Sequence, residues 1–247
     1  MPEGPSLVIW KEALAKFTGK KVTAAEGTVD IPVKELKGKK IIEIRTFGKE
    51  LLIRFPAFTI RIHFMLFGTC LINERKETPP ALRLSFGKQE VNLYTRTIRI
   101  LHEPLDELYD WSADVLNPNW NAANARKKLR QHPDMLVCDA LLNQKIFAGA
   151  GNIIKNEVLF RTRIHPATHI SALPPAKLRQ LVNDVVEYSF QFMEWKKEGV
   201  LKRNWQIHTK KTCPRCKIPV HKEYMGITKR RTFFCDSCQQ LYKTKKK

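Results

Sequence analysis

The sequence predicts an α+β chain, with a β-sandwich or barrel first, a helical module after it and a four-cysteine zinc finger at the end. Three observations lead there. Residues up to about 114 contain many short β runs separated by close turns. From Asn121 onward the apolar periodicity is helical. Near the end, Cys213-Pro-Arg-Cys216 and Cys235-Asp-Ser-Cys238 are separated by 18 residues, the C-x2-C…C-x2-C spacing of a zinc site.

Taken in order, the chain opens on Met1-Pro2-Glu3-Gly4-Pro5, and Leu7, Trp10, Leu14 and Phe17 then share one helical face that Gly19 can stop. Lys40 to Phe47, Leu51 to Phe55, Thr59 to His63, Thr69 to Asn73, Leu82 to Phe86 and Val91 to Thr95 read as strands. Gly87-Lys88 reads as a two-residue hairpin turn. Asn117-Pro118-Asn119 reads as a linker, so the expected division is 1–114, a linker 115–120, a helical domain 121–200 and a finger with a basic tail 201–247. Within the helical domain, helices are expected over Ala122 to His132, Leu136 to Gln144, Ile153 to Arg161 and Pro175 to about Lys197. In the last of these, Leu178, Leu181, Val185, Phe190 and Phe192 are expected to form a core face.

Composition bounds the function. The chain has 247 residues, 43% hydrophobic and 28% charged, which is globular and excludes wholesale disorder, collagen and coiled coil. It has no run of 18 apolar residues and no basic-then-apolar leader, so neither a membrane partner nor secretion is expected; a cytoplasmic, nucleoid-associated location is. The net charge is +20, of which +12 falls in residues 201–247, the electrostatic footprint of a nucleic-acid binder. A basic ribosomal or RNA-binding zinc protein would share that footprint. Four thiolates close a tetrahedron, so the zinc held by Cys213, Cys216, Cys235 and Cys238 is expected to be structural. Two disulfides are the alternative for those cysteines, and Cys70 and Cys138 read as buried thiols.

Other residues carry chemistry. Gly149-Ala150-Gly151-Asn152 precedes a helix whose free N–H groups can hold an anion, and Asn152 can donate to a phosphate or cap the helix. The basic residues Arg126, Lys127, Lys128 and Arg130 favour phosphate contact, as do Lys229-Arg230-Arg231 in the finger. A Met before a small residue is usually removed, which would leave Pro2 as a terminal secondary amine with Glu3 beside it as a general acid or base. A helix start close behind would favour the free lone pair.

Four segments, in this order, resemble one family: the N-terminal P-E-G-P, Lys49 in Gly48-Lys49-Glu50-Leu51-Leu52, the stretch L-L-N-Q-K-I-F-A-G-A-G-N-I-I-K-N-E-V-L at 141–159, and the four-cysteine finger with T-K-R-R-T-F-F-C. The family is that of the formamidopyrimidine-DNA glycosylases and endonuclease VIII, and the resemblance spans essentially the whole chain. It implies a two-layered β-sandwich, a helix–two-turn–helix module and a zinc finger, acting on double-stranded DNA that carries a damaged base or an abasic site, with the chain expected to be a monomer. It implies that Pro2 attacks the sugar C1′ of a flipped nucleotide, that Glu3 protonates the ring oxygen, and that β,δ-elimination follows. Lys49 matches the family's lysine at the lesion phosphate, and His63, Asn152 and Arg230 match its phosphate contacts.

In the loop His63-Phe64-Met65-Leu66-Phe67-Gly68, Met65, Leu66 and Phe67 are candidates for the wedge that fills the vacated stack, Leu66 at their centre. A buried strand end is the other reading of this loop. No Arg-x-Phe-Gly loop occurs around Tyr94-Thr95-Arg96-Thr97, which places the resemblance nearer the endonuclease VIII branch and oxidised pyrimidines. A purine-lesion glycosylase and a non-catalytic damaged-DNA-binding relative are the alternatives. The family usually has an acidic residue where this chain has Ser6, so lesion recognition is expected to differ there.

Overall fold

The computed structural model describes residues 2–243; Met1, on which removal of the initiator depends, and most of the basic tail lie outside the described residues. The first helix, α1 (Gly4–Leu14), has Pro5 in its opening turn, where a missing N–H costs nothing. It buries Leu7 and Leu14, and a tighter 3-10 turn, Ala15–Phe17, carries Phe17 into the same core. The expected single helix to Phe17 is therefore two pieces.

Eight strands follow in the N-terminal half: β1 (Ala24–Gly27), β2 (Glu43–Phe47), β3 (Glu50–Arg54), β4 (Thr59–His63), β5 (Thr69–Ile72), β6 (Leu82–Phe86), β7 (Gln89–Tyr94) and β8 (Thr97–Leu101). They form two antiparallel four-stranded sheets, ordered β1-β6-β7-β5 and β2-β3-β4-β8. Alternate residues of both sheets face one core: Leu51, Ile53, Ile60, Ile62 and Ile98 from one, Cys70, Leu82, Leu84, Val91 and Leu93 from the other. This is a two-layered β-sandwich. Strands β1 and β8 have no counterpart in the sequence expectations. The Ala24-Ala25-Glu26-Gly27 segment has little strand propensity of its own and is extended because it pairs with β6, Ala24 opposite Ser85. A short helix, α2 (Leu105–Leu108), ends this part.

The chain divides into two units between Tyr109 and Asp110. Val115 already belongs to the second core, and Asn117 to Trp120 form a turn closed by the Asn117 side chain and carbonyl. The second unit contains α3 (Ala122–Arg130), α4 (Val137–Ala140), α5 (Asn152–Arg161), α6 (Pro175–Lys197) and the hairpin β9 (His221–Met225) and β10 (Arg230–Phe234). Asn121 caps α3 by accepting from the amides of Ala123 and Asn124.

The helix expected over Leu136 to Gln144 is a single turn, α4. Beyond it Gln144 takes over the backbone's bonding: Nε2 donates to the carbonyls of Leu142 and Ala150, and Oε1 accepts from Gly149 N–H. Val137, Cys138, Ala140 and Leu141 are buried, Leu136 and Leu142 are half-buried, and the chain beyond α4 is an irregular loop. In α6, Leu178, Leu181, Val185 and Phe192 are buried, whereas Phe190 is exposed, one position off the stripe that Ser189 occupies.

Candidate functional site

The sequence-predicted residues fall into both units. Pro2, Glu3, Lys49, His63 and Leu66 belong to the first; Asn152, Arg230 and the four cysteines belong to the second.

Glu3 is the N-cap of α1, in extended backbone, and its carbonyl accepts from Ser6 N–H at 2.8 Å. Its side chain is 1% exposed. A carboxyl held at a helix N-terminus and away from water suits proton transfer at a reacting group. Ser6 is buried in the same first turn, so the position where the family usually has an acid lies directly behind Glu3.

Helix α1 packs on β2 and β3, and the turn joining those strands is Gly48-Lys49. Gly48 has φ +53°, the first central position of a two-residue hairpin that favours glycine. Glu50, directly after, braces the turn: it accepts from Tyr109 O–H at 2.7 Å and pairs with Arg61 at 3.4 Å. Strand register places Glu50 opposite His63. His63 therefore stands beside Lys49, Glu50 and Arg61. Its burial lowers its pKa, Glu50 opposes that, and Lys49 and Arg61 add to it. His63 Nδ1 lies 3.2 Å from Met65 N–H and 3.0 Å from the Met65 sulfur, so residue 65 holds the ring from both its backbone and its side chain.

The loop after His63 is a tight turn closed by Gly68 N–H on the Phe64 carbonyl. A Cβ at position 68 would run into that carbonyl, so only glycine fits. Phe64 is buried against Trp10, with ring centroids 4.4 Å apart, and anchors the loop. Met65, Leu66 and Phe67 are 52%, 47% and 91% exposed. Three adjacent exposed apolar side chains on a braced turn differ from a buried strand end.

In the second unit, α5 carries an unexpected buried polar set. Its N-cap is Gly151, so Asn152 does not cap; Nδ2 donates to the Arg231 carbonyl at 2.9 Å, and Oδ1 is buried with no hydrogen-bond partner among the described residues. Lys155, 1% exposed, donates to Thr232 Oγ1 at 2.8 Å and to the Arg231 carbonyl at 3.4 Å. Asn156 accepts from Phe233 N–H and bonds the His208 ring. Glu157 accepts from the amides of Gln206, Ile207 and His208; burial raises its pKa and those amides oppose the rise. Burial, with Lys155 and Arg231 nearby, lowers His208 to about 4. Sequence reading passed over Lys155, Asn156 and Glu157; the signal available was three polar residues inside an otherwise apolar helix. On α3, Lys128 is tied to Asp110 at 2.6 Å and to the Lys145 carbonyl at 2.7 Å.

Arg230 opens β10, opposite Met225, next to the turn that ends at Lys229. The other side of that turn is held by Asp139 of α4, which accepts from the amides of Ile227 and Thr228.

The four finger cysteines are free thiols whose sulfurs lie within 4.8 Å of one another, Cys213 and Cys216 being 3.5 and 2.9 Å from Cys238. Thiolates 2.3 Å from a tetrahedral zinc stand about 3.8 Å apart, inside that span. Burial raises the Cys213 thiol, but the amides of Cys216 and Arg215 draw it down to about 7. Phe160, Ile207 and Phe233 pack around the cluster. These four residues could hold a metal ion, and the donor set fits zinc.

Residues 1–101 match the formamidopyrimidine-DNA glycosylase N-terminal domain, and residues 112–202 match the formamidopyrimidine-DNA glycosylase H2TH domain. Endonuclease 8-like 3 of Mus musculus is 28% identical over 211 residues, 80% of this chain and 34% of that protein. Endonuclease 8-like 2 of Homo sapiens is 31% identical over 196 residues, 73% of this chain and 57% of that protein. The chain thus spans about a third of the length of the endonuclease 8-like 3 proteins it matches. Among solved structures, Lactococcus lactis formamidopyrimidine-DNA glycosylase bound to DNA with an abasic site has a TM-score of 0.83 at 23% identity, over 96% of this chain and 99% of that one. A viral DNA glycosylase has a TM-score of 0.83 at 17% identity, over 96% of this chain and 100% of that one. Those structural likenesses carry the fold; the two domain matches carry the lineage, and the chain belongs to the formamidopyrimidine-DNA glycosylase and endonuclease VIII family.

Proposed function

We propose that the chain is a bifunctional DNA glycosylase and abasic-site lyase acting on double-stranded DNA. The observation that carries the reading is the buried Glu3 carboxyl, one residue after Pro2, at the N-terminus of α1. With Met1 removed, the Pro2 nitrogen attacks C1′ and the C1′–base bond breaks. Glu3 protonates the ring oxygen as the sugar opens, leaving a cationic iminium between Pro2 and C1′. That cation accepts the electron pair left when a proton leaves C2′, so the 3′ phosphate departs, and the 5′ phosphate follows in a second elimination. Lys49 and His63 contact the phosphates at the lesion from the first unit, and Asn152 and Arg230 contact phosphates from the second. Met65, Leu66 and Phe67 fill the gap left by the flipped nucleotide; their exposure on a glycine-closed turn supports this. Cys213, Cys216, Cys235 and Cys238 hold one structural zinc. The relatives named endonuclease 8-like 2 and 3 support the endonuclease VIII branch, and oxidised pyrimidines are proposed as substrates with that branch.

The test is borohydride trapping on an abasic-site duplex, with a chain that retains Met1 as control, since there the Pro2 nitrogen is an amide with no free lone pair. A covalent product that is lost when Met1 is retained is expected. A product that persists at the same yield would move the nucleophile elsewhere, and no product with binding intact would make the chain a damage-binding relative.

A further inference from the structure

Lys155 is a buried ammonium on a helix whose other buried residues are mostly apolar, and the proposed chemistry does not use it. Two of its hydrogen bonds lead to the finger strand. Nζ donates to Thr232 Oγ1 at 2.8 Å, and the Thr232 hydroxyl in turn donates to the Arg230 carbonyl at 3.1 Å. Nζ also reaches the Arg231 carbonyl, where Asn152 Nδ2 donates as well. Thr232 is fully buried, so this relay is shielded from water. The 2.8 Å bond to the Thr232 hydroxyl is the stronger of the two, and the 3.4 Å contact with the Arg231 carbonyl is a weak one. Both carbonyls flank the Cα of Arg231, and the first belongs to Arg230 itself. Rotation of the backbone there would swing the Arg230 side chain. The relay removes that freedom.

We propose that Lys155, acting through the Thr232 hydroxyl, is a positioning residue that sets the backbone of Arg230 for its phosphate contact. This rests on the reading of Arg230 as a DNA contact. It assigns to α5 a second task beside that of Asn152: registering the finger strand on the helical module.

The experiment is a double-mutant cycle on the zinc-loaded full chain. The readout is the Kd for a duplex carrying a tetrahydrofuran abasic analogue at fixed salt, with thermal melting recorded beside it. Thr232→Val keeps the shape and removes the hydroxyl; Thr232→Ser restores it. Thr232→Val is expected to weaken binding roughly three- to tenfold, the size of one lost buried hydrogen bond. Thr232→Ser should bind within about twofold of the parent on the same scale. In an Arg230→Ala background, Thr232→Val should change Kd by less than about twofold, because there is no guanidinium left to position. A purely structural role would lower Tm and weaken binding by the same factor in both backgrounds, and that result overturns the proposal. If Arg230→Ala alone leaves binding unchanged, the reading of Arg230 fails and the proposal falls with it. Should Thr232→Val fail to fold, Lys155→Met carries the same cycle, with the same two outcomes.

Discussion

Glu50 makes the Lys49 turn a defined object. It holds Tyr109 and Arg61 and, through strand register, faces His63. Because its negative charge opposes the lowering of the His63 pKa by burial, Glu50→Gln should move His63 further down. An NMR titration of the His63 ring checks this, and an upward move would show that Glu50 is not its electrostatic neighbour. Ser6 is the second residue of interest, since a glutamate there would enter a buried turn beside Glu3. Ser6→Glu is expected to change lesion preference, measured on a panel of oxidised bases, more than trapping at abasic sites. Equal effects on both would mean that the position serves the chemistry and not recognition.

At the scale of elements, the turn after β4 and the α5–finger pair behave differently. Phe67 touches little of its own chain, so Phe67→Ala should leave Tm unchanged, and so should Leu66→Ala. Both should reduce nucleotide flipping, read as the fluorescence of 2-aminopurine beside an abasic site; a loss of Tm without a loss of flipping would return the loop to a packing role. The α5–finger pair depends on buried polar groups, His208 among them. An exposed histidine protonates near 6.5, whereas native His208 stays neutral down to about 4. Between those values the unfolded chain binds a proton that the native one does not, so stability falls as pH drops through that window. The contribution is of order 3 kcal/mol. Urea melts of the parent and of His208→Gln, compared from pH 7 to pH 4.5, should converge as pH falls; parallel curves would mean that His208 is solvated.

At the scale of the whole molecule, the +20 charge sets how binding responds to salt. The slope of log affinity against log salt should be steep, and Arg230→Ala should reduce it by about one unit. An unchanged slope would remove Arg230 from the phosphate contacts. Metal analysis should return one zinc per chain, and Cys→Ser at any of Cys213, Cys216, Cys235 or Cys238 should lose it; folded, metal-free protein that still binds DNA would overturn the structural role.

Much of this was legible in the letters. Strand alternation and the glycine turn at Gly87 marked a hairpin, Pro175 to Lys197 matched its helix, and the cysteine spacing marked the finger. These are local rules: period, turn chemistry and ligand spacing act over a few residues. What depended on distant partners was not legible. Ala24–Gly27 is a strand because of β6, and in the loop after α4 the Gln144 side chain bonds the Leu142 and Ala150 carbonyls and the Gly149 amide. Lys155 and Glu157 are buried because segments about fifty to eighty residues downstream supply their hydrogen bonds. The sequence by itself determined most of the strands, the long helix and the spacing of the four cysteines, since those follow from local physics. Only the tertiary structure decided which polar side chains are buried and what they hold, because a buried charge is tolerated only where distant groups meet it.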